Sequence, residues 1–220
     1  GHPHRQTLRA LDEFLVTRYN ARNGLTSGIL GGVRFTNAFA TNPLCSPSRG
    51  TILTGLYSHA HGVTTNQGRS HFLKGDTRGF PEILRNQGYY TAMIGKWHLG
   101  DFSQMPEFHP QRFGFDAYYG VPHSNDMIPC PLFDGEKQIA ADIAPILGEI
   151  TGRYTQQAVK TIEEAGDKPF FLYLANTFPH QPFASSANFT GKSAGGKYGD
   201  TVEELDASVG EVIAALRAAG

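Results

Sequence analysis

Three short segments carry residues able to do chemistry together. The first is Cys45-Ser46-Pro47-Ser48-Arg49, continuing Gly50-Thr51-Ile52-Leu53-Thr54-Gly55. It reads as a short helix, with Ser46 as cap, Pro47 as first helical residue and Gly55 as stop. A helix start favours anions, because its backbone N–H groups are free and its dipole is positive there. Arg49 lies one turn on, so its guanidinium reaches the same side. An anion at that end would meet Cys45, the free N–H groups and Arg49 together. Geometry alone serves a capped surface helix beside a buried thiol equally well.

The second segment is Gly95-Lys96-Trp97-His98-Leu99-Gly100, which follows a β-rich run at 89–94. In an extended chain, residues two apart point the same way, so Lys96 and His98 project together. They do so at the carboxyl end of a strand, where open α/β sheets place their ligands. Taken alone, Lys-x-His is also an ordinary solvated loop. The third is Phe178-Pro179-His180-Gln181-Pro182, after the apolar run 169–175; its two prolines stiffen the loop that carries His180.

The elements that must position these residues follow from periodicity. Leu8, Leu11, Leu15 and Val16 recur at helical spacing and predict a helix over 6–20. Residues 22–32 are loose and Gly-rich, and 33–39 alternates as a strand. A helix is predicted over 79–87, closed by Gly88, then a strand over 89–94 ended by Gly95. A further helix spans 151–165 and stops at Gly166. The continuous apolar run 169–175 reads as a strand covered on both faces. A final amphipathic helix is predicted over 200–219, with Val202, Leu205, Val209, Val212, Ile213 and Leu216 on one side. Helix then strand, twice over, argues for an α/β sheet with helices on its faces.

Composition narrows the function classes. The chain has 220 residues, 19 Lys+Arg, 20 Asp+Glu and a net charge of −1, so no basic surplus exists to drive nucleic-acid binding. No apolar run approaches the roughly 18 residues needed to span a bilayer. Two cysteines, Cys45 and Cys130, are too few for a disulfide scaffold and read as buried thiols or one optional disulfide. The chain opens on Gly1-His2-Pro3-His4-Arg5 with no apolar signal segment, and both ends look cut.

Cys45 to Gly55 resembles the signature of the type I, formylglycine-dependent sulfatases of the alkaline-phosphatase-like superfamily. Gly32 to Phe39 before it and His59-Ala60-His61-Gly62-Val63 after it resemble family sequence too, as do Gly95 to His98, Gly114-Phe115-Asp116, Gly120 to Met127 and Pro169 to Leu174. The resemblance implies an alkaline-phosphatase-like sheet with helices on both faces, here incomplete. It makes 1–220 a single partial catalytic domain, in which 32–220 is sulfatase-like and 1–31 atypical. It also implies that a separate maturing enzyme oxidises Cys45 to formylglycine. In the hydrated aldehyde, one hydroxyl attacks sulfur and displaces the alcohol, and the other then expels sulfate. On this resemblance Arg49 and Lys96 grip the sulfate. Lys96 bridges to formylglycine, His98 assists proton removal, and His180 contacts sulfate and protonates the leaving oxygen. Asn125 stands where some members carry a site histidine, and donates a hydrogen bond but no proton. His2, His4, His59, His61, His71 and His109 have no assigned role; His59 and His61 read as packing beside the Cys45 helix.

The family also holds calcium on an Asp-Asp pair and a later Asp-Asn pair. Neither pair is in this chain, where the only acids before Cys45 are Asp12 and Glu13 on a predicted helix. A calcium site needs at least about six oxygen ligands. The expectation is therefore a sulfuric ester hydrolase that turns over poorly as this polypeptide alone. The substrate expected is a small aryl or sugar sulfate, and the location periplasmic, secreted or lysosomal. A phosphonate or phosphodiester hydrolase of the same superfamily, or a non-catalytic binder of sulfated ligands, are the alternatives.

Overall fold

The computed structural model describes residues 39–66 and 77–220. The helix expected over 6–20, the loose stretch 22–32, nearly all of the strand expected over 33–39, and Asp12 and Glu13 lie outside the described residues. The described chain falls into two compact units. One holds Phe39–Pro145 with Phe171–Thr177; the other holds Ile146–Phe170 with Phe178–Gly220.

The first unit is built on a mixed five-stranded sheet, and the chain has an α/β fold. Its helices are α1 (Cys45–Thr54), α2 (Ser58–His61) and α3 (Phe80–Asn86). Its strands are β1 (Tyr90–Lys96), β2 (Ala117–Val121), β3 (Leu132–Asp134), β4 (Lys137–Ala140) and β5 (Phe170–Ala175), in the order β4-β3-β2-β1-β5. β1 and β2 are parallel, with Ala92 opposite Ala117 and Lys96 opposite Val121. The β2–β3 and β3–β4 pairs are antiparallel. Trp97, Met93, Leu99, Phe102, Phe115 and Tyr118 are all buried in the core beneath the sheet residues that carry the site.

Three expectations need correction here. β1 does not end at Gly95 but runs through Lys96. Gly95 is there because the sheet is crowded: a Cβ on it would lie 2.1 Å from Ala175 O, and its φ is 112°. β5 is not evenly covered: Phe170 to Tyr173 are half-buried and only Leu174 and Ala175 are buried, and β5 is the last strand of the sheet among the described residues. The hairpin of β3 and β4 was not expected at all. Its strands are too short for periodicity to register, and the local signal is Asp134-Gly135, with Gly135 at φ 56°.

The second unit pairs α4 (Ile150–Ala165) with α5 (Gly196–Ala218). α4 stops at Gly166 as the sequence predicts. α5 begins four residues before the expected 200, and buries Val202, Leu205, Val209, Val212 and Leu216, with Ile213 half-buried. Between the two helices Thr155 Oγ1 and Ser208 Oγ share a hydrogen bond of 2.6 Å. The first turns of α5 also tether the preceding loop. The Asp200 carboxylate accepts N–H bonds from Gly191 at 2.8 Å, Lys192 at 3.1 Å and Ser193 at 2.8 Å. Glu204 accepts from Ser186 N at 2.9 Å. The Ser193 and Gly191 amides hold the Asp200 carboxyl below its usual range. A depressed carboxylate stabilises the fold above its unfolded pKa, and that contribution is lost as pH falls through the folded value. Asp200→Asn therefore lowers the melting temperature by several degrees at neutral pH. The gap to the parent closes as melts are repeated at increasingly acid pH. A constant gap across that series would show that charge is not what holds the loop.

Candidate active site

α1 places Cys45 at its very first position, two residues before Pro47, where the sequence reading began the helix. Leu44 is the N-cap, in extended backbone, and makes no side-chain cap bond. Ser46 is not the cap: it lies inside the first turn, with its hydroxyl buried and unpartnered. Gly55 does stop the helix, with φ 69° and its N–H bonded to Thr51 O. Cys45 is a free, half-buried cysteine; Cys130 is free and buried, so no disulfide joins them. Burial, followed by the nearby Asp142 charge, pushes the Cys130 thiol up to about 12, so it stays protonated and inert. His61 packs beside the helix as read. It is buried, with Nδ1 accepting from Val63 N at 3.1 Å and Nε2 3.2 Å from Thr51 Oγ1.

Arg49 and Lys96 meet at the end of β1. Arg49 Nη1 donates to the carbonyl of Lys96. The Lys96 ammonium is buried, donates to Ser124 Oγ at 2.9 Å, and lies in hydrogen-bonding reach of the Cys45 side chain. Burial first, and then the Arg49 charge, pull Lys96 down to about 8. No salt bridge joins Arg49 or Lys96 to a carboxylate among the described residues. Two cations, one of them dehydrated, thus share a site with no salt-bridged carboxylate among the described residues and only the Asp126 charge acting on Lys96 as a weaker counterweight, an arrangement that attracts an anion.

His98 joins this cluster, though not by strand alternation. Its φ is 58°, a left-handed conformation uncommon outside glycine, so the chain has turned before it. Pairing beyond β1 persists, with Trp97 N bonded to Val121 O and His98 N to Pro122 O. His98 is buried, and both ring nitrogens lack a partner among the described residues. Burial, then the Lys96, Arg49 and His123 charges, push it down to about 3, so the ring is neutral near pH 7. Buried polar atoms without partners are rare and call for an explanation. A ligand between His98 and the two cations supplies one.

The loop after β2 brings the remaining groups. Ser124, His123 and Asn125 are all buried there, and the parallel register sets this loop beside the end of β1. The sequence reading placed Asn125 here but missed Ser124; a single serine carries no spacing signal, and only the Lys96 contact reveals it. It also missed Asn66, whose Oδ1 accepts the Ser46 N–H at 2.9 Å. His180 belongs to the second unit, where it is half-buried and its Nδ1 donates to Gln181 O at 2.7 Å. That bond leaves Nε2 as the basic nitrogen. Among the described residues no three His, Cys, Asp or Glu side chains gather as a metal site. The calcium the resemblance implies therefore has no fit within them. No helix of the described residues is long and apolar enough to cross a membrane.

A helix-start cysteine, Arg49 and Lys96 come together at the carboxyl end of a parallel strand pair in an α/β fold. The sulfatase family model matches residues 20–220, and the chain belongs to the sulfatase family. It is 36% identical over 215 residues to N-acetylgalactosamine-6-sulfatase of Mus musculus, covering 86% of this chain and 41% of that protein. The chain thus spans about two fifths of the length of the curated relatives it matches. A structure from work on glycosaminoglycan metabolism by Bacteroides thetaiotaomicron shares the fold. Its TM-score is 0.75 at 24% identity, over 85% of this chain and 52% of that one. A third protein, solved in complex with its substrate D-glucosamine-2-N,6-O-disulfate, is 34% identical with a TM-score of 0.53. That match covers 70% of this chain and 28% of the other.

Proposed function

We propose that the protein hydrolyses the sulfate ester of a sulfated sugar at residue 45, once a separate maturing enzyme has converted Cys45 to formylglycine. The observation that carries this reading is the pair Arg49 and Lys96, joined at the end of β1 with no salt-bridged carboxylate among the described residues, with Lys96 reaching the Cys45 side chain. A hydrated aldehyde at that position supplies a hydroxyl nucleophile to sulfur, which the thiol does not. Arg49 and Lys96 neutralise the sulfate oxygens and the charge that develops on them. Ser124 holds the Lys96 ammonium in place. His98, neutral and with both ring nitrogens unpartnered among the described residues, accepts a proton at residue 45, and a bound anion raises its basicity. Asn125 donates a hydrogen bond to the substrate. His180 delivers a proton to the leaving oxygen from Nε2 when the ring is the imidazolium, carrying a proton on Nε2 as well as the Nδ1 proton given to Gln181 O. Relatives that act on sulfated amino sugars support the substrate class.

The same reading keeps turnover by this polypeptide alone low, because no described residues assemble the oxygen ligands a divalent cation needs beside the sulfate. The test co-expresses the chain with a formylglycine-generating enzyme. Mass spectrometry of the Cys45 peptide should show loss of H2S and gain of one oxygen. Sulfate and phosphonate esters of one alcohol are then compared, and the sulfate should turn over faster. The rate at low substrate should fall above pH about 8, where Lys96 sheds its proton. A thiol that is never converted, or a preference for the phosphonate ester, refutes the reading.

A further inference from the structure

Few backbone donors open α1. Pro47 has no N–H. Leu44 N donates to Asn42 O at 2.8 Å, and Ser48 N to Leu44 O at 2.9 Å. Ser46 N donates to Asn66 Oδ1, twenty residues downstream. Neither Leu44 nor the Ser46 hydroxyl caps the helix. Its side-chain cap is borrowed from a distant segment.

That segment is itself anchored. His61 is buried against α1, and a Cβ on Gly50 would lie 2.6 Å from its ring. Val63 sits in the core. Asn66 therefore arrives on a chain held at two earlier points, unlike a freely rotating surface amide.

We propose that Asn66 is a positioning residue for the reactive side chain at position 45; the inference rests on the sulfatase reading above. The peptide linking residues 45 and 46 carries the N–H that Asn66 holds. Fixing that N–H fixes the plane of the peptide and hence ψ of residue 45. The direction of the residue 45 side chain toward Lys96 depends on that angle. A carboxamide suits the task because its oxygen accepts the bond without adding charge. A carboxylate caps a helix as well but sets a negative charge beside an anion site.

The test uses Asn66→Ala and Asn66→Asp in the full chain, before and after maturation. Before maturation, the readouts are deuterium exchange at the Ser46 amide and the rate of Cys45 alkylation by iodoacetamide, resolved from Cys130 by peptide mass. After maturation, they are kcat and KM for 4-nitrophenyl sulfate. In Asn66→Ala, Ser46 exchange should rise about tenfold, Cys45 alkylation should change at least about threefold, and kcat should fall about tenfold with KM nearly constant. Asn66→Asp should restore exchange protection, alkylation and kcat, but raise KM about fivefold through charge repulsion. An Asn66→Ala protein with parental alkylation and kcat overturns the proposal, and so does failure of Asn66→Asp to restore them. If Asn66→Ala does not fold, Asn66→Asp decides: raised KM with kcat kept supports it, and any other pattern overturns it. If Cys45 is never converted or the phosphonate ester is preferred, the functional reading falls; in that case, or if parent turnover is too slow to assay, the exchange and alkylation contrasts decide Asn66 by themselves.

Discussion

Lys96→Met will abolish sulfate-ester turnover and raise the melting temperature. Lys96 is 2% exposed and pulled from 10.5 to about 8, chiefly by burial. Held protonated at neutral pH, it costs the fold roughly 3 kcal/mol, at about 1.4 kcal/mol per unit. Removing one half of a buried ion pair is ordinarily destabilising, because it strands the other charge. Here no salt-bridged carboxylate is stranded among the described residues, Arg49 loses a repulsive neighbour, and only the weaker attraction of Asp126 is given up. Methionine keeps the length and fills the space. Against that gain stands the lost bond to Ser124, about 1 kcal/mol. The net is a rise of roughly 2 kcal/mol, or about 4–8 °C for a chain of this size. Turnover should fall by about 10³-fold, as when a donor to the transition-state charge is lost. Parent stability should also rise with pH between about 8 and 10.5, because the unfolded chain binds the Lys96 proton more tightly than the folded one. The variant should lack that slope. Parallel melts and assays decide the matter; a lower melting temperature would show that the lysine is partnered after all.

Gly120→Ala will prevent the sheet from assembling. A Cβ at Gly120 would lie 1.9 Å from Gly95 O, 2.7 Å from Gly95 C and 2.8 Å from Gly95 N. Every one of these atoms is backbone, so no side chain can swing aside. β1 cannot retreat either, because Gly95 is already against Ala175 on its other side. The penalty exceeds about 4 kcal/mol, in the range reserved for severe overpacking. Soluble yield should collapse, and any recovered protein should lack a cooperative melt. Gly152→Ala in α4 is the control. Nothing lies within 4 Å of its added Cβ, and helix propensity favours alanine by about 0.5–1 kcal/mol. A soluble, cooperatively folding Gly120→Ala protein would contradict the packing described.

Local grammar was readable where it is dense. Pro47, Gly55, Gly88 and Gly166 punctuate helices that the structure places within a few residues of their expected limits. The pairing of Cys45 with Arg49 across one turn was readable because helical spacing alone sets it. Lys96 and His98 were read as neighbours on the right element but for the wrong reason. The sequence does not announce that His98 takes φ 58°, since that turn is imposed by pairing with Pro122. Gly95 looked like a terminator because a glycine's two uses, ending a strand and admitting another backbone, are alike in one dimension. Ser124 and Asn66 were invisible for a related cause. Each acts through a single contact with a residue 28 or 20 positions away, and such contacts leave no periodic trace.

Because β1 and β2 run in the same direction with Lys96 level with Val121, their outgoing loops leave from one rim. One side of that rim carries the buried Lys96 ammonium and His98. The other bears Ser124 and Asn125. A longer loop after β2 would extend that rim without shifting the ladder below, because the register is set by the strand pairs and not by the chain that leaves them.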